Sequence, residues 1–399
     1  MRPRTRSDRN RGLRPLFQSQ MRRSPSSTKV RLVALVVSAL ALGAALPTAA
    51  SAARATFGIA EGVHPDDRDV AKMKRAKVEQ FRFGFNWPAI QQSRGNCDPV
   101  LGSCDWSETD QVVGSLASKG IPALPVLFGS PHWISHNQVK PPLGSQNQRD
   151  AWKGFLRAAV KRYGPGGTYW TDTIDPLGLN SVLGPYHSQF GLNAPVVPVR
   201  AWQIWNEPNG KPFWAPRPSA RQYAKLLKLS HSAINGADPN AQVVLAGLVG
   251  YGQIQAWTFL GQLYRAHAKP NFDAAALHPY AKDLSHLRDE VVLYRDAMKK
   301  HRDKQTPLWI TELGWGSRSG GGPYNKGKSG QKRILSQSFK MLVHHGAWRI
   351  NHLFWFDWRD PGGRTAGPPG CTWCSSAGLL KHNRNPKPAY RAFKHFTGG

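Results

Sequence analysis

The feature that most constrains this chain is an alternation. After residue 55, short apolar runs and longer amphipathic runs follow one another eight times. Short apolar runs predict buried strands, and longer runs with helical periodicity predict helices. Strands are expected at residues 56–59, 78–83, 123–128, 201–205, 242–246, 272–277, 308–311 and 351–356. Helices are expected at 66–76, 107–119, 148–163, 219–234, 256–267, 285–301, 330–345 and 388–396, with Ser219 and Ser285 placed as N-caps. Strand then helix, repeated, is the pattern of a parallel sheet covered by helices. Eight repeats predict an α/β chain closed into a (β/α)₈ TIM barrel. An open dinucleotide-binding sheet would carry GxGxxG after its first strand, and Phe57-Gly58-Ile59-Ala60-Glu61-Gly62 lacks that spacing. No linker divides residues 53–399, so one domain is expected. The longest irregular stretch, Gly164–Pro198, reads as an insertion that could form a cleft wall.

The first 52 residues read differently. A basic stretch precedes an apolar run from Leu32 to Leu46, and Ala50-Ser51-Ala52 fits a small-residue cleavage site. About fifteen apolar residues is short for a membrane span, which needs about 20. A cleaved signal peptide and a secreted product are expected, with no membrane attachment afterwards; an uncleaved anchor is the alternative. The basic region is long for a signal, and Met21 offers a second start. Residues 1–52 hold ten Lys or Arg and one Asp, leaving +21 of the formal +30 for the rest of the chain. Such charge favours solubility or an anionic polymer, of which an acidic polysaccharide is one. No nucleic-acid motif is present.

In an exported chain, four cysteines favour disulfides. Three pairings exist. The local ones, Cys97–Cys104 and Cys371–Cys374, each bracket a turn-rich loop. A redox or half-zinc role for Cys371-Thr372-Trp373-Cys374 is the alternative, but no second ligand pair completes a zinc site, so no metal and no cofactor is expected.

Barrel enzymes carry their chemistry at the C-terminal ends of strands. Strand four ends in Trp205-Asn206-Glu207-Pro208 and strand seven in Thr311-Glu312-Leu313-Gly314-Trp315. Either glutamate alone could be a helix cap or half an ion pair. Together they supply what glycoside cleavage needs: an acid to protonate the leaving oxygen, and a carboxylate to attack carbon or activate water. Aromatic residues at other strand ends can stack on sugar faces. Fifteen tryptophans fit that need, because an indole N–H is costly to bury without a partner.

These segments resemble clan A of the glycoside hydrolases, the retaining (β/α)₈ barrels, in particular its family 39-like and family 5-like members. The resemblance runs from about Phe57 to Phe396 and rests on Asn-Glu-Pro after strand four and Glu-x-Gly-Trp after strand seven. It implies a secreted O-glycoside hydrolase acting by double displacement, with Glu207 as acid/base and Glu312 as nucleophile. It further implies that Asn206 holds the sugar 2-hydroxyl and Arg82 orients the nucleophile. His278 and Tyr280 match its element after strand six, and Trp355 its floor of the central subsite. His132 and Trp133 are weighed as sugar-site residues against a packing role, as are Asn86 and Trp87. Trp358 and Trp373 are weighed as outer subsites, and Asp357 as a loop cap. The glycine-rich stretch Gly316–Gly330, with Arg318, Lys326 and Lys328, reads as a solvated loop or as a lid toward an anionic substrate.

Two other readings stay open at this level. One is a barrel that binds glycans without cleaving them, against which the intact glutamate pair argues. The other is a charge-driven adhesion protein, whose binding would vanish steeply with salt. Sugar, linkage, endo or exo action, transfer to water or to a second sugar, and oligomeric state are open as well.

Overall fold

Eight parallel staves form the barrel. They are β1 (Thr56–Ala60), β2 (Gln80–Asn86), β3 (Ala123–Phe128), β4 (Ala201–Ile204), β5 in two pieces (Gln242–Val244 and Leu248–Val249), β6 (Ala275–His278), β7 (Leu308–Leu313) and β8 (Ile350–Phe356). The computed structural model describes residues 54–95, 97, 102, 104–171, 173–174, 181–362 and 371–399; the stretch read as an export signal, residues 1–52, lies outside them. Each stave pairs in parallel with its sequence neighbour, and β1 pairs with β8. The first piece of β5 pairs with β4, and the second with β6. A bridge from Val244 to Ala274, with Leu245 N–H donating to the Ala274 carbonyl at 2.9 Å, joins the two sides. The ring therefore closes through β5.

Helices return the chain between staves, as the amphipathic runs predicted. The first, Asp67–Arg75, starts in a capping box of Asp66 and Asp69; a later one, Gln146–Tyr163, uses Ser145 and Gln148 in the same way. Ser219 caps Ala220–Asn235 as expected. Ser285 does not cap its helix. Asp283 does, accepting from His286 N–H at 3.0 Å, so Leu284–Lys300 starts earlier than the sequence suggested. Among the described residues, no helix is long and apolar enough to cross a membrane.

None of the described residues of the insertion after Gln146–Tyr163 lines the cleft. Its described part packs Tyr169 and Phe190 against Gly114 of the outer helix Ser107–Ser118, so closely that a Cβ on Gly114 would stand 2.2 Å from the Tyr169 oxygen. Both expected disulfides are present, with Cα separations of 5.1 Å for Cys97–Cys104 and 5.5 Å for Cys371–Cys374.

Strand alternation sorts side chains into two layers. Phe81, Leu127, Trp202, Ile204, Leu277, Ile310 and Trp355 point outward, toward the helices. Ala60, Leu124, Ala201, Val244, Ala276, Trp309 and Phe354 fill the barrel itself. Toward the C-terminal end, the buried Arg82, Gln203, His278 and Thr311 form a polar network. That change from apolar to polar marks the site.

Candidate active site

Glu207 lies just past β4 on a sharply bent backbone. Trp205 and Glu207 adopt φ of +70° and +40°, a region non-glycine residues enter rarely. Glu207 N–H donates to the Gly247 carbonyl at 3.2 Å. The bend turns the Glu207 carboxylate over the barrel mouth, with Oε1 2.8 Å from His278 Nδ1. The other ring nitrogen of His278 is 2.9 Å from Thr311 Oγ1. Gly247 is required for this placement, since a Cβ there would stand 1.9 Å from His278 Nε2.

Glu312 reaches the mouth through an irregularity. The pairing of β7 with β8 shifts register between Ile310 and Leu313. A shift of this kind breaks strict alternation and re-aims a side chain. Thr311 and Glu312 both join the site as a result, while Leu313 returns to the outer layer. Arg82 Nη1 donates to Glu312 Oε1 at 2.6 Å, and the Tyr280 hydroxyl donates to Oε2. The same guanidinium donates through Nε to Gln203 Oε1 at 2.6 Å and through Nη2 to Asn206 Oδ1 at 2.8 Å. Arg82 thus ties β2, β4 and β7 together beneath the mouth.

Burial would raise the Glu312 carboxyl. His278 and Arg82 beside it, with the Tyr280 hydrogen bond, outweigh burial and hold it below the usual carboxylate range. The Tyr280 hydroxyl is pushed well up by burial and by the charge of Glu312, so it stays protonated as a donor. Glu207, His278 and Glu312 each place one donor atom within 4.8 Å of the others. Three such groups could in principle hold a metal ion, but Glu312 already has a cation and a hydroxyl on its two oxygens. The arrangement is suited to proton transfer and to attack by one carboxylate.

The pair opens into a cavity of about 850 Å³. Phe213, Tyr251, Tyr280, Tyr324, Phe356 and Trp373 supply its rings, Trp373 lying with its ring centre 5.1 Å from that of Tyr280. Glu61 and Asp357 face it from the ends of β1 and β8. Asp357 is buried, accepts from Gly62 N–H at 3.1 Å and from Trp358 N–H, and is pushed well up, chiefly by burial.

Arg82, Asn206, Glu207, His278, Tyr280 and Glu312 come together here. Three residues named from the sequence do not. Trp355 lies in the outer layer, its N–H donating to the Ala377 carbonyl at 3.0 Å and its ring near Trp315 and Phe339. Its strand position points it away from the barrel axis; Phe356, the next residue, lines the cavity. His132 contacts His136 at 2.7 Å on the exposed surface. Trp133 packs edge-to-face on Trp87 and donates to the Gln91 carbonyl at 3.0 Å, which holds it beside the barrel wall. Trp87 and Trp358 are buried packing residues too. Glu61, Phe213, Tyr251, Tyr324 and Phe356 line the cavity as well, and the sequence singled out none of them. Alternation along β8 pointed to Phe356, whereas nothing marked Tyr324 within its glycine-rich loop.

Residues 198–369 match the family model of the glycosyl hydrolase catalytic core. That span contains Glu207, His278, Tyr280 and Glu312, and leaves out Arg82. Solved structures share the fold. A family 39 glycoside hydrolase from Bacteroides cellulosilyticus superposes with a TM-score of 0.58 at 18% identity, over 86% of this chain and 63% of that one. A GH39 enzyme from Xanthomonas axonopodis pv. citri gives 0.60 at 17%, over 86% and 66%. A GH5_18 protein from Streptomyces cattleya, solved with GlcNAc, gives 0.60 at 15%, over 87% and 80%. The chain thus spans a little under two thirds of the length of the two family 39 proteins.

Proposed function

We propose that this protein is a secreted, retaining O-glycoside hydrolase. The observation that carries the reading is the glutamate pair at the ends of β4 and β7, with donor oxygens within 4.8 Å. Retaining enzymes hold their carboxyl groups about 5–5.5 Å apart, whereas inverting ones leave about 6.5–9.5 Å for a water.

Glu312, kept ionised by Arg82, His278 and Tyr280, attacks the anomeric carbon. Glu207 protonates the departing oxygen as that bond breaks. The product is a glycosyl ester on Glu312. Water then attacks the same carbon while Glu207 takes its proton, and Glu312 leaves as carboxylate. Asn206, fixed by Arg82, accepts or donates at the sugar 2-hydroxyl. The cavity lies within the 300–1,000 Å³ range of ligand sites, enough for a short run of sugar units against the rings of Tyr280, Phe356 and Trp373. Among the described residues, its carboxyl side chains are Glu61, Glu207, Glu312 and Asp357, the last pushed toward its neutral form by burial, and no Lys or Arg lines it. A neutral sugar fits that surface, and an acidic one would meet repulsion. The apolar run before Ala50-Ser51-Ala52 and the two disulfides support export.

The test is a panel of aryl glycosides and polysaccharides, with the first-formed anomer followed by proton NMR. Release of the sugar with its starting configuration is expected. Inversion, or no cleavage of any glycoside, would overturn the reading.

A further inference from the structure

A second cavity of about 840 Å³ adjoins the catalytic one, and Pro361 lines both. The short turn Cys374–Ser376 forms part of the partition, with Cys374 on the catalytic side and Ser375 and Ser376 on the other. Among the described residues, Pro361 and this turn are what the two cavities share as a boundary.

The two cavities differ in charge. Among the described residues the first is lined by acids and by no Lys or Arg, whereas the second is lined by Arg318, Lys326, Lys328, Lys381 and Lys387. Its single carboxylate, Asp360, is already engaged by Lys387 Nζ at 2.6 Å and Gly378 N–H at 3.0 Å. Lys387 is buried and also donates to Ser317 Oγ and the Ser376 carbonyl, so it belongs to the wall. Lys326 donates to the Lys282 carbonyl. Among the described residues, Arg318, Lys328 and Lys381 have no carboxylate within ion-pair distance and face the cavity with charge to spare. The first turn of the helix Gly327–His344 also lines it, with no side-chain cap and no acidic residue in that turn. The Gly327 N–H is taken by the Arg318 carbonyl at 2.9 Å, so the helix start contributes the positive end of its dipole to the attraction for an anion.

We propose that this basic cavity is an accessory subsite for a sulfate or carboxylate on the same glycan chain whose neutral unit occupies the catalytic cavity. It separates two demands: a carboxyl-lined catalytic cavity, and recognition of an anionic polymer. The inference rests on the hydrolase reading for the neutral unit and on the cavity's own residues for the anion.

Calorimetry tests it with four probes: isomaltotetraose, its sulfated form, tetragalacturonate and inorganic sulfate. Two variants are compared with the parent protein. One carries Arg318→Ser, Lys328→Ser and Lys381→Ser. The other removes the same charge from exposed helix faces elsewhere, through Lys161→Ser, Lys225→Ser and Lys228→Ser. A sulfated or carboxylated tetrasaccharide should bind the parent and the distant-charge variant alike, and the cavity variant at least about tenfold more weakly. The sulfated and galacturonate arms show which anion is held. Equal weakening in both variants would reduce the effect to general charge and overturn the proposal. So would binding of inorganic sulfate alone, or of no anionic probe. Binding is read without turnover, so failure of the hydrolase reading shows in the glycoside assay and not here.

Discussion

Removing the Arg82 guanidinium, as in Arg82→Ala, should damage stability and catalysis by separable amounts. Three acceptors on three elements lose their donor at once: Glu312 Oε1, Gln203 Oε1 and Asn206 Oδ1. Taking one partner from a buried ion pair costs about 3–5 kcal/mol. Unfolding entropy of about 2.1 cal/mol/K per residue over roughly 346 residues is about 0.7 kcal/mol/K, so Tm should fall by about 4–7 °C. A hydrogen bond to a charged group contributes about 1.5–3 kcal/mol, which predicts a loss of about 10- to 150-fold in kcat/KM. The pH profile carries the distinguishing sign. Arg82 helps hold the Glu312 carboxyl below its ordinary value. Without it that carboxyl rises, the attacking anion is lost at a higher pH, and the acid limb of kcat/KM moves upward. The stability that the lowered carboxyl provides above its unfolded pKa, lost as pH falls through the folded value, shrinks in parallel. Arg82→Lys, one point charge in place of a fork, should fall between. Scanning calorimetry and a pH–rate series on an aryl glycoside measure all three. An unmoved acid limb with kcat/KM within threefold of the parent would refute the reasoning.

Four further outcomes follow from single observations. Trp355→Phe should lower Tm, since it removes a buried N–H bond to Ala377, while leaving KM within about threefold; a large KM change would restore Trp355 to the cavity floor. Trp373→Ala should raise KM through lost stacking, by about 0.5–1.5 kcal/mol or 2- to 12-fold, and lower Tm as well, because the ring is buried against Tyr280, Tyr324 and Phe356. Cys371→Ser with Cys374→Ser should cost about 2 kcal/mol by chain entropy for so short a loop and raise KM as the backbone carrying Trp373 loosens, read by calorimetry and steady-state kinetics. Glu290 is buried with no partner for either oxygen, and burial pushes its carboxyl up to about 8. Its protonated form is favoured by folding, so stability is full below about pH 4.5 and falls as pH rises toward 8. Glu290→Gln should flatten that decline, with a gain on the order of 4 kcal/mol at pH 8 by linkage; denaturant melts at pH 5 and pH 8 check it.

Much of this was legible in the alternation itself. Periods of two and 3.6 depend only on which side chains must meet a neighbour and which meet water, so the order of staves and helices could be read directly. The helix at Leu284–Lys300 shows where local signals compete: Asp283 and Ser285 both suit an N-cap, and only packing chose Asp283. The glutamates could be placed at one barrel mouth because their tripeptides follow strands. Trp355 was misplaced because a resemblance was weighted above strand parity, which already directed it outward beside Leu353. Glu312 shows the converse, since strict alternation would turn it outward and a register shift in β7 restores it. Trp373 could be weighed as an outer subsite from its place after strand eight, whereas Tyr324 reaches the cavity by packing of the glycine-rich loop against Trp373, a contact between distant residues that no local pattern encodes.

The central claim is that Glu312 becomes covalently bonded to sugar. The direct measurement is to inactivate the protein with a 2-deoxy-2-fluoro activated glycoside of the sugar it cleaves, digest it, and locate the adduct by peptide mass spectrometry. One equivalent of glycosyl ester on Glu312 is predicted; Glu207→Ala should still form it with this activated leaving group, release it slowly to water, and release it faster with azide as the glycosyl azide. A label on Glu207, Glu61 or Asp357, or time-dependent inactivation with no adduct, would contradict the account.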